Sequence, residues 1–424
     1  MEKKLYIVII SILCVAVAVI IGVGVYKYKN ADKPNNPEKP NVIKPGEYGD
    51  TDYNIRLIKT TNSTQTGNYL ISPYSIEIAL NMLKDGAKEN SKKQIEDLVG
   101  TRKIPTYGVK DRISVTNGAF IKEEYKDKVH KEFYSKLSNY KAEIVYDKFT
   151  KPDVINNWVK EKTYGMIPHL LDEMSPDFVL GLANAVAIDV EWESQFECNR
   201  TTKEEFNYEN GQKVNVEMMH NTFEHGNTKY FETNEGKGIV LPYASYDANG
   251  ERVENGTQLE FVAVLPNKTV NEYIEKLTAE DLKTIGETGT TPAEADIIVG
   301  LPRFSYSFDL GGFKEILQAM GVKDVFDPLA ADLSGIFGAP NDLYVSVAIH
   351  KTYIDLNEKG TKAAAVTYFG IDKNAMAEPR NKVSITFNKP FVYMIRDSKT
   401  KEILFFGVVR EPNLWKGSTC SNEQ

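Results

Sequence analysis

The sequence predicts an α+β fold, and three observations predict it. Helix-patterned segments crowd the first half of the body, strand-like segments dominate the second, and a stretch with neither pattern lies between two strands near the C-terminus.

The chain has 424 residues, 26% of them charged, and a formal net charge of -8. Leu5 to Val25 is an uncharged, nearly all-apolar run, close to the ~20 residues a helix needs to cross a bilayer. A cleaved signal peptide has a shorter apolar stretch and a small-x-small cleavage site, for which Gly22-Val23-Gly24 is only a fair match. A lipoprotein would need a small residue before Cys14, where Leu13 stands. An uncleaved signal-anchor over 1–29 is therefore expected, with Lys3 and Lys4 on the cytoplasmic side, and secretion after cleavage is the alternative. Residues 30–47 read as an extended spacer, because Pro34, Pro37, Pro40 and Pro45 stand among polar residues with almost nothing to bury. The body runs over 48–415 without an internal repeat, and 416–424 is a tail.

The acidic balance, with no basic stripe interleaved with aromatics, argues against a nucleic-acid partner. Only Cys198 and Cys420 lie outside the apolar run, too few for a disulfide scaffold. One bond between them and two unpaired thiols are both open.

Within the body, Ile76, Ala79, Leu80 and Leu83 fall at i, i+3, i+4 and i+7, predicting a helix capped by Ser75 and stopped at Gly86. Ser91-x-x-Gln94 reads as a capping box opening a helix that ends near Gly100. Helical patterns follow over 126–139 and 152–171, the second holding Trp158. Val179 to Val190 is dense in aliphatic residues and suits a central strand covered on both faces. Strands are expected at 237–242, 259–265, 296–306 and 342–356, with a helix at 312–321. Phe391–Ile395 and Ile403–Val409, joined by a polar turn, read as a buried antiparallel hairpin.

Glu358 to Arg380 breaks the pattern. It contains Gly360, the run Ala363-Ala364-Ala365, Thr367, Gly370 and Pro379, with no helical stripe and no clean turn. Loops this long inside a compact domain are uncommon and are often functional.

Read in order, these blocks resemble the serpin family of serine protease inhibitors, in a bacterial-type, membrane-anchored form, over about Gly49 to Pro412. Asn68-x-x-x-Ser72-Pro73-x-Ser75 and the helix ending in Gly86-Ala87 resemble the shutter region. Asn184-Ala185 with Trp192 and Phe196 resembles the central strand and the breach tryptophan. Leu301-Pro302-Arg303-Phe304, Phe326 with Leu333-Ser334-Gly335-Ile336, His350, Phe387-Asn388-Lys389-Pro390-Phe391 and Phe405-Phe406-Gly407 match further blocks. The hinge reads Glu358-Lys359-Gly360-Thr361-Lys362-Ala363-Ala364-Ala365-Val366-Thr367.

The resemblance implies a fold of three β-sheets, about eight to nine helices and an exposed reactive-centre loop. It also implies a target protease, of the serine or the cysteine class, as partner. That protease cleaves the loop, forms an acyl-enzyme bond and is carried along as the loop inserts into the central sheet. Family spacing puts the reactive bond at Asn374–Ala375, with Lys373–Asn374 and Met376–Ala377 as alternative registers. Ser72, Ser75, Asn184, Trp192 and His350 take breach and shutter roles by the same resemblance. Strand geometry tests the hinge independently, because side chains alternate faces with period 2. The inward set, Thr361, Ala363, Ala365 and Thr367, is small and uncharged, and Lys362 and Val366 depart from the family pattern only on the outward face.

No catalytic role, cofactor or metal is expected, and the body is expected to be monomeric. A cell-wall enzyme is the main rival, but Ser398-x-x-Lys401 sits in a hairpin turn and no Lys-Thr-Gly accompanies it. His220 and His225 are five apart, unsuited to a helical ligand pair. The second live reading is a serpin-fold binding or structural protein that has lost inhibition.

Overall fold

A computed structural model describes residues 52–224, 226, 228–287, 295–361 and 381–416. The chain divides into units 1–42 and 43–424, and all described residues belong to the second. The apolar run of 5–25 lies outside them. Among the described residues no helix is long and apolar enough to cross a membrane.

Helices and strands follow in the expected order. The helices are α1 (Tyr53–Asn62), α2 (Pro73–Gly86), α3 (Glu89–Val99), α4 (Lys131–Asn139), α5 (Asp153–Lys162), α6 (Val270–Lys276), α7 (Ala279–Thr284) and α8 (Phe313–Ala319). The strands are β1 (Tyr69–Ile71), β2 (Ile113–Lys122), β3 (Glu143–Asp147), β4 (Leu180–Ile188), β5 (Val190–Glu191), β6 (Thr202–Asn207), β7 (Lys213–Phe223), β8 (Lys229–Glu232) and β9 (Gly236–Pro242). They continue as β10 (Leu259–Pro266), β11 (Asp296–Pro302), β12 (Phe304–Asp309), β13 (Lys351–Leu356), β14 (Gly360–Thr361), β15 (Lys382–Thr386), β16 (Phe391–Asp397) and β17 (Ile403–Val409).

Three sheets result. One has the order β1-β17-β16-β10-β9-β8, and every residue of β10, β16 and β17 is buried, which is why those strands are mostly apolar, with the buried Arg396 of β16 paired to Glu260 of β10. A second has the order β15-β11-β7-β6. The third comes in two hydrogen-bonded parts, β3-β2-β4 and β12-β13-β14-β5. Only Asp189 separates β4 from β5, so both lie on one strand path and the two parts form a single sheet. That sheet packs on the first: Thr352 donates to the Leu70 carbonyl at 2.8 Å and Tyr306 to the Tyr69 carbonyl at 3.0 Å.

Several expectations shift in detail. The cap of α2 is Ser72, not Ser75: Pro73 occupies the first turn and the Ser72 hydroxyl accepts from the Ser75 N–H. Ser91 and Gln94 do not form a capping box, because α3 begins at Glu89. Their side chains instead accept the backbone N–H groups of Asp332, Lys323 and Asp324, pinning a distant segment. Gly100 ends α3 as expected, at φ 71°, where a side chain would be strained. The single strand foreseen over 296–306 is two strands in two sheets, parted at Arg303. The strand foreseen over 342–356 forms only from Lys351, since 343–350 has no ladder partner among the described residues.

Candidate functional site: the mouth and seam of the third sheet

The hinge enters this sheet at its upper end. Thr361 of β14 pairs with Leu356 of β13 on one side and Val190 of β5 on the other, and Gly360 pairs with Glu191. Only glycine fits at 360, because a Cβ there would stand 2.1 Å from the Val190 carbonyl oxygen. Thr361 is 2% exposed, and its hydroxyl shares a 2.6 Å hydrogen bond with the Tyr243 phenol. Its side chain thus takes the inward face assigned from strand alternation.

Glu358 sits in a buried polar cluster above it. Arg303 reaches its carboxylate through Nε at 2.8 Å and Nη2 at 2.7 Å, and Glu217 stands 3.4 Å from the same guanidinium. The Thr201 hydroxyl donates to Glu358 as well. Burial works against the charge of Arg303, yet its bonds to Glu358 and Glu217 outweigh that and raise its pKa. The Glu358 carbonyl accepts from the Phe196 N–H at 2.9 Å, and the Lys359 carbonyl from the Trp192 N–H at 2.8 Å. Trp192 stacks on Tyr243 at 4.5 Å and donates its indole N–H to the Asn357 carbonyl at 2.9 Å.

The described part of β14 ends at Thr361. Among the described residues no strand pairs with the edge of β4 opposite β2. A small cavity lies there, lined by Ile188, by Tyr353, Ile354 and Asp355 of β13, and by Leu70, Ile395 and Phe405 of the sheet behind. Lower still, the buried His350 Nε2 accepts the Ser72 N–H at 3.0 Å. Burial lowers its pKa from 6.5 to about 4, so the ring is neutral and able to accept. Ser75 reaches the Asn184 carbonyl only at 3.5 Å, the outer limit of a hydrogen bond, and the Asn184 amide donates to Asn117 Oδ1 at 2.8 Å.

Ser72, Ser75, Asn184, Trp192, His350, Glu358, Gly360 and Thr361 therefore gather along one seam. Ala363, Ala364, Ala365, Thr367, Lys373, Asn374, Ala375 and Met376 lie outside the described residues, as does His225. Sequence reasoning missed the roles of Arg303, Glu217, Thr201, Tyr243 and Asn117. Arg303, a lone cation between two apolar strand segments, was the one readable signal. His220 pairs with Glu204 at 2.6 Å. Among the described residues no group of three or more His, Cys, Asp and Glu could hold a metal. Cys198 is disulfide-bonded, which excludes a free thiol there.

Residues 49–412 match the family model described as Serpin (serine protease inhibitor). The chain belongs to the serpin family. It is 29% identical over 393 residues to the leukocyte elastase inhibitor of Xenopus tropicalis, covering 85% of this serpin and 98% of the relative. A serpin-like protein of Thermococcus kodakarensis is 30% identical over 370 residues, 81% of each chain. Among solved structures, the thermophilic serpin tengpin in its native state is similar at 32% identity and a TM-score of 0.69, covering 86% of this serpin and 93% of tengpin. With an animal and an archaeal chain among these relatives, the comparison carries the family and not a bacterial subtype.

Proposed function

We propose that this serpin is a single-use inhibitor that traps a serine or a cysteine protease by loop cleavage and insertion. The observation that supports the reading is Thr361, seated between β13 and β5, with a cavity beside it and, among the described residues, no strand paired with the free edge of β4. The next inward residues, Ala363, Ala365 and Thr367, are small and uncharged, so continuing β14 downward buries no charge. The fifteen residues from Gly360 to Asn374 span roughly 50 Å when extended, which sets the distance a tethered protease would travel. The reactive bond is Asn374–Ala375, with Lys373 and Met376 marking the neighbouring registers. The body, 48–415, acts as a monomer on the outer side of a membrane, held by the 1–29 anchor and the 30–47 spacer.

Incubation of the serpin with a panel of serine and cysteine proteases tests this. The expected product is an adduct stable to SDS, with the cut mapped by mass spectrometry to Asn374–Ala375. Cleavage by every protease without adduct would instead favour a binding or structural role.

A further inference from the structure

The chain that leads from α5 to β4 runs along the face of the third sheet turned away from the first sheet. Side chains of β4 alternate between two cores. Val186 and Ile188 belong to the main one, Ala183 and Ala185 to a smaller one closed by Ile155, Trp158 and Val159 of α5. Ile167, Leu170 and Leu171 of the connector pack into the smaller core. Polar bonds fasten the connector on both sides of residue 166. The buried Thr163 hydroxyl accepts the Ile167 N–H at 3.1 Å, and Asn156 Oδ1 accepts the Leu170 and Leu171 N–H groups at 2.7 and 2.9 Å.

Between those fastenings stands Met166, which lines the cavity beside Thr361. That cavity lies in line with the hinge strand. Thr361 pairs with Leu356 and Val190; two residues further along the same strand paths are Ile354 and Ile188, and both line the cavity. The first sheet backs the cavity through Leu70, Ile395 and Phe405, so Met166 closes it from the α5 side. Met166 is also within reach of solvent. Met82, Met218, Met219, Met320 and Met394 are buried, whereas Met166 and Met174, both on this connector, are half-buried.

We propose that Met166 is an oxidation site that sets how readily the gap beside Thr361 opens: as the thioether it plugs the gap, and as the sulfoxide it leaves it. The oxidant is a peroxide. The Met166 sulfur attacks one peroxide oxygen and the O–O bond breaks. That oxygen stays on sulfur, its proton passes to the departing oxygen, and hydrogen peroxide is reduced to water by the two electrons the sulfur gives up. The sulfoxide is polar, and the aliphatic walls at Ile188 and Ile354 offer it no donor, so the modified side chain is driven toward water. Its unbranched, freely rotating chain lets it swing out while the connector stays fastened. The effect on insertion rests on the reading above, whereas the oxidation itself does not.

Two measurements on the full chain test this. Under limiting hydrogen peroxide, peptide mass spectrometry follows each methionine, with fragment ions separating Met166 from Met174. Met166 gains one oxygen at least about tenfold faster than the five buried methionines. A rate no higher than theirs overturns the site. Separately, uncut protein is held at elevated temperature without protease, and the appearance of a heat-resistant, loop-inserted conformer is timed on native gels. Peroxide treatment raises the wild-type rate about tenfold. Met166→Leu, close to methionine in volume but without sulfur, converts at the untreated rate and does not respond to peroxide. Met174→Leu keeps the full response. An unchanged wild-type rate, a response that survives in Met166→Leu or disappears in Met174→Leu, or no such conformer in any sample overturns the plug. Failure of the untreated protein to trap any protease, with selective oxidation and faster conversion both present, would count against the proposed function and not against the plug.

Discussion

The mouth and the lower seam of the third sheet are held in opposite ways. At the mouth, Glu358 is gripped by Arg303, Thr201 and the Phe196 N–H, the Trp192 N–H holds the neighbouring Lys359 carbonyl, and Trp192 stacks on Tyr243. At the seam, His350 accepts one bond from Ser72 and Ser75 reaches Asn184 at the limit of bonding distance. A satisfied buried ion pair strongly resists losing one partner, whereas a neutral hydrogen bond contributes only ~1 kcal/mol. The mouth is therefore tied more firmly than the seam, and the proposed insertion would use the first as a fixed starting point and the second as a latch that gives way.

The largest effect should come from charging the inward face. Thr361→Arg is expected to cut the yield of SDS-stable adduct per cleaved chain at least about tenfold, because an unpaired buried charge costs several kcal/mol. Scoring adduct per cleaved chain removes any general loss of stability, and an undiminished yield would break the distinction between a buried and an exposed hinge face.

Acid sharpens the comparison at the seam. His350 is neutral in the fold, with its pKa lowered to about 4 by burial, and takes up a proton more readily once unfolded. Its contribution is fully present above pH ~6.5 and is lost as pH falls toward ~4, about 3 kcal/mol in all. Urea unfolding midpoints followed from pH 7 to 4 check this, and His350→Gln, which keeps an acceptor but cannot protonate, should flatten the dependence.

At the mouth, Gly360→Val forces a Cβ against the Val190 carbonyl and should cost about 2–3 kcal/mol, read as a lower Tm. Ser75→Ala, removing the 3.5 Å contact, should change stability by less than ~0.5 kcal/mol.

The closing hairpin β16–β17 and the inward face of Thr361 were legible because each follows from periodicity. The stop of α2 at Gly86 was equally plain. Helices α6 and α7 were not read, although Thr269-x-x-Glu272 and Thr278-x-x-Asp281 both form capping boxes. The error at Ser91 and Gln94 shows the converse, a local signal overruled by tertiary contacts. Strands β6, β7, β8 and β15 escaped notice because polar and charged residues interrupt them and leave no long apolar run. The polar cluster at Glu358 was hidden for another reason: Thr201, Glu217 and Arg303 meet it only across sheets, and no spacing in the chain records that meeting.

The melting temperature after a single cut in the loop tests the central claim most directly. A non-target protease is used to nick the chain near Asn374, and thermal unfolding of nicked and intact protein is followed by circular dichroism. Completion of the sheet predicts that the nicked form melts well above the intact one. A nicked form that melts at or below the intact temperature would show that nothing enters beneath Thr361, and would contradict the account.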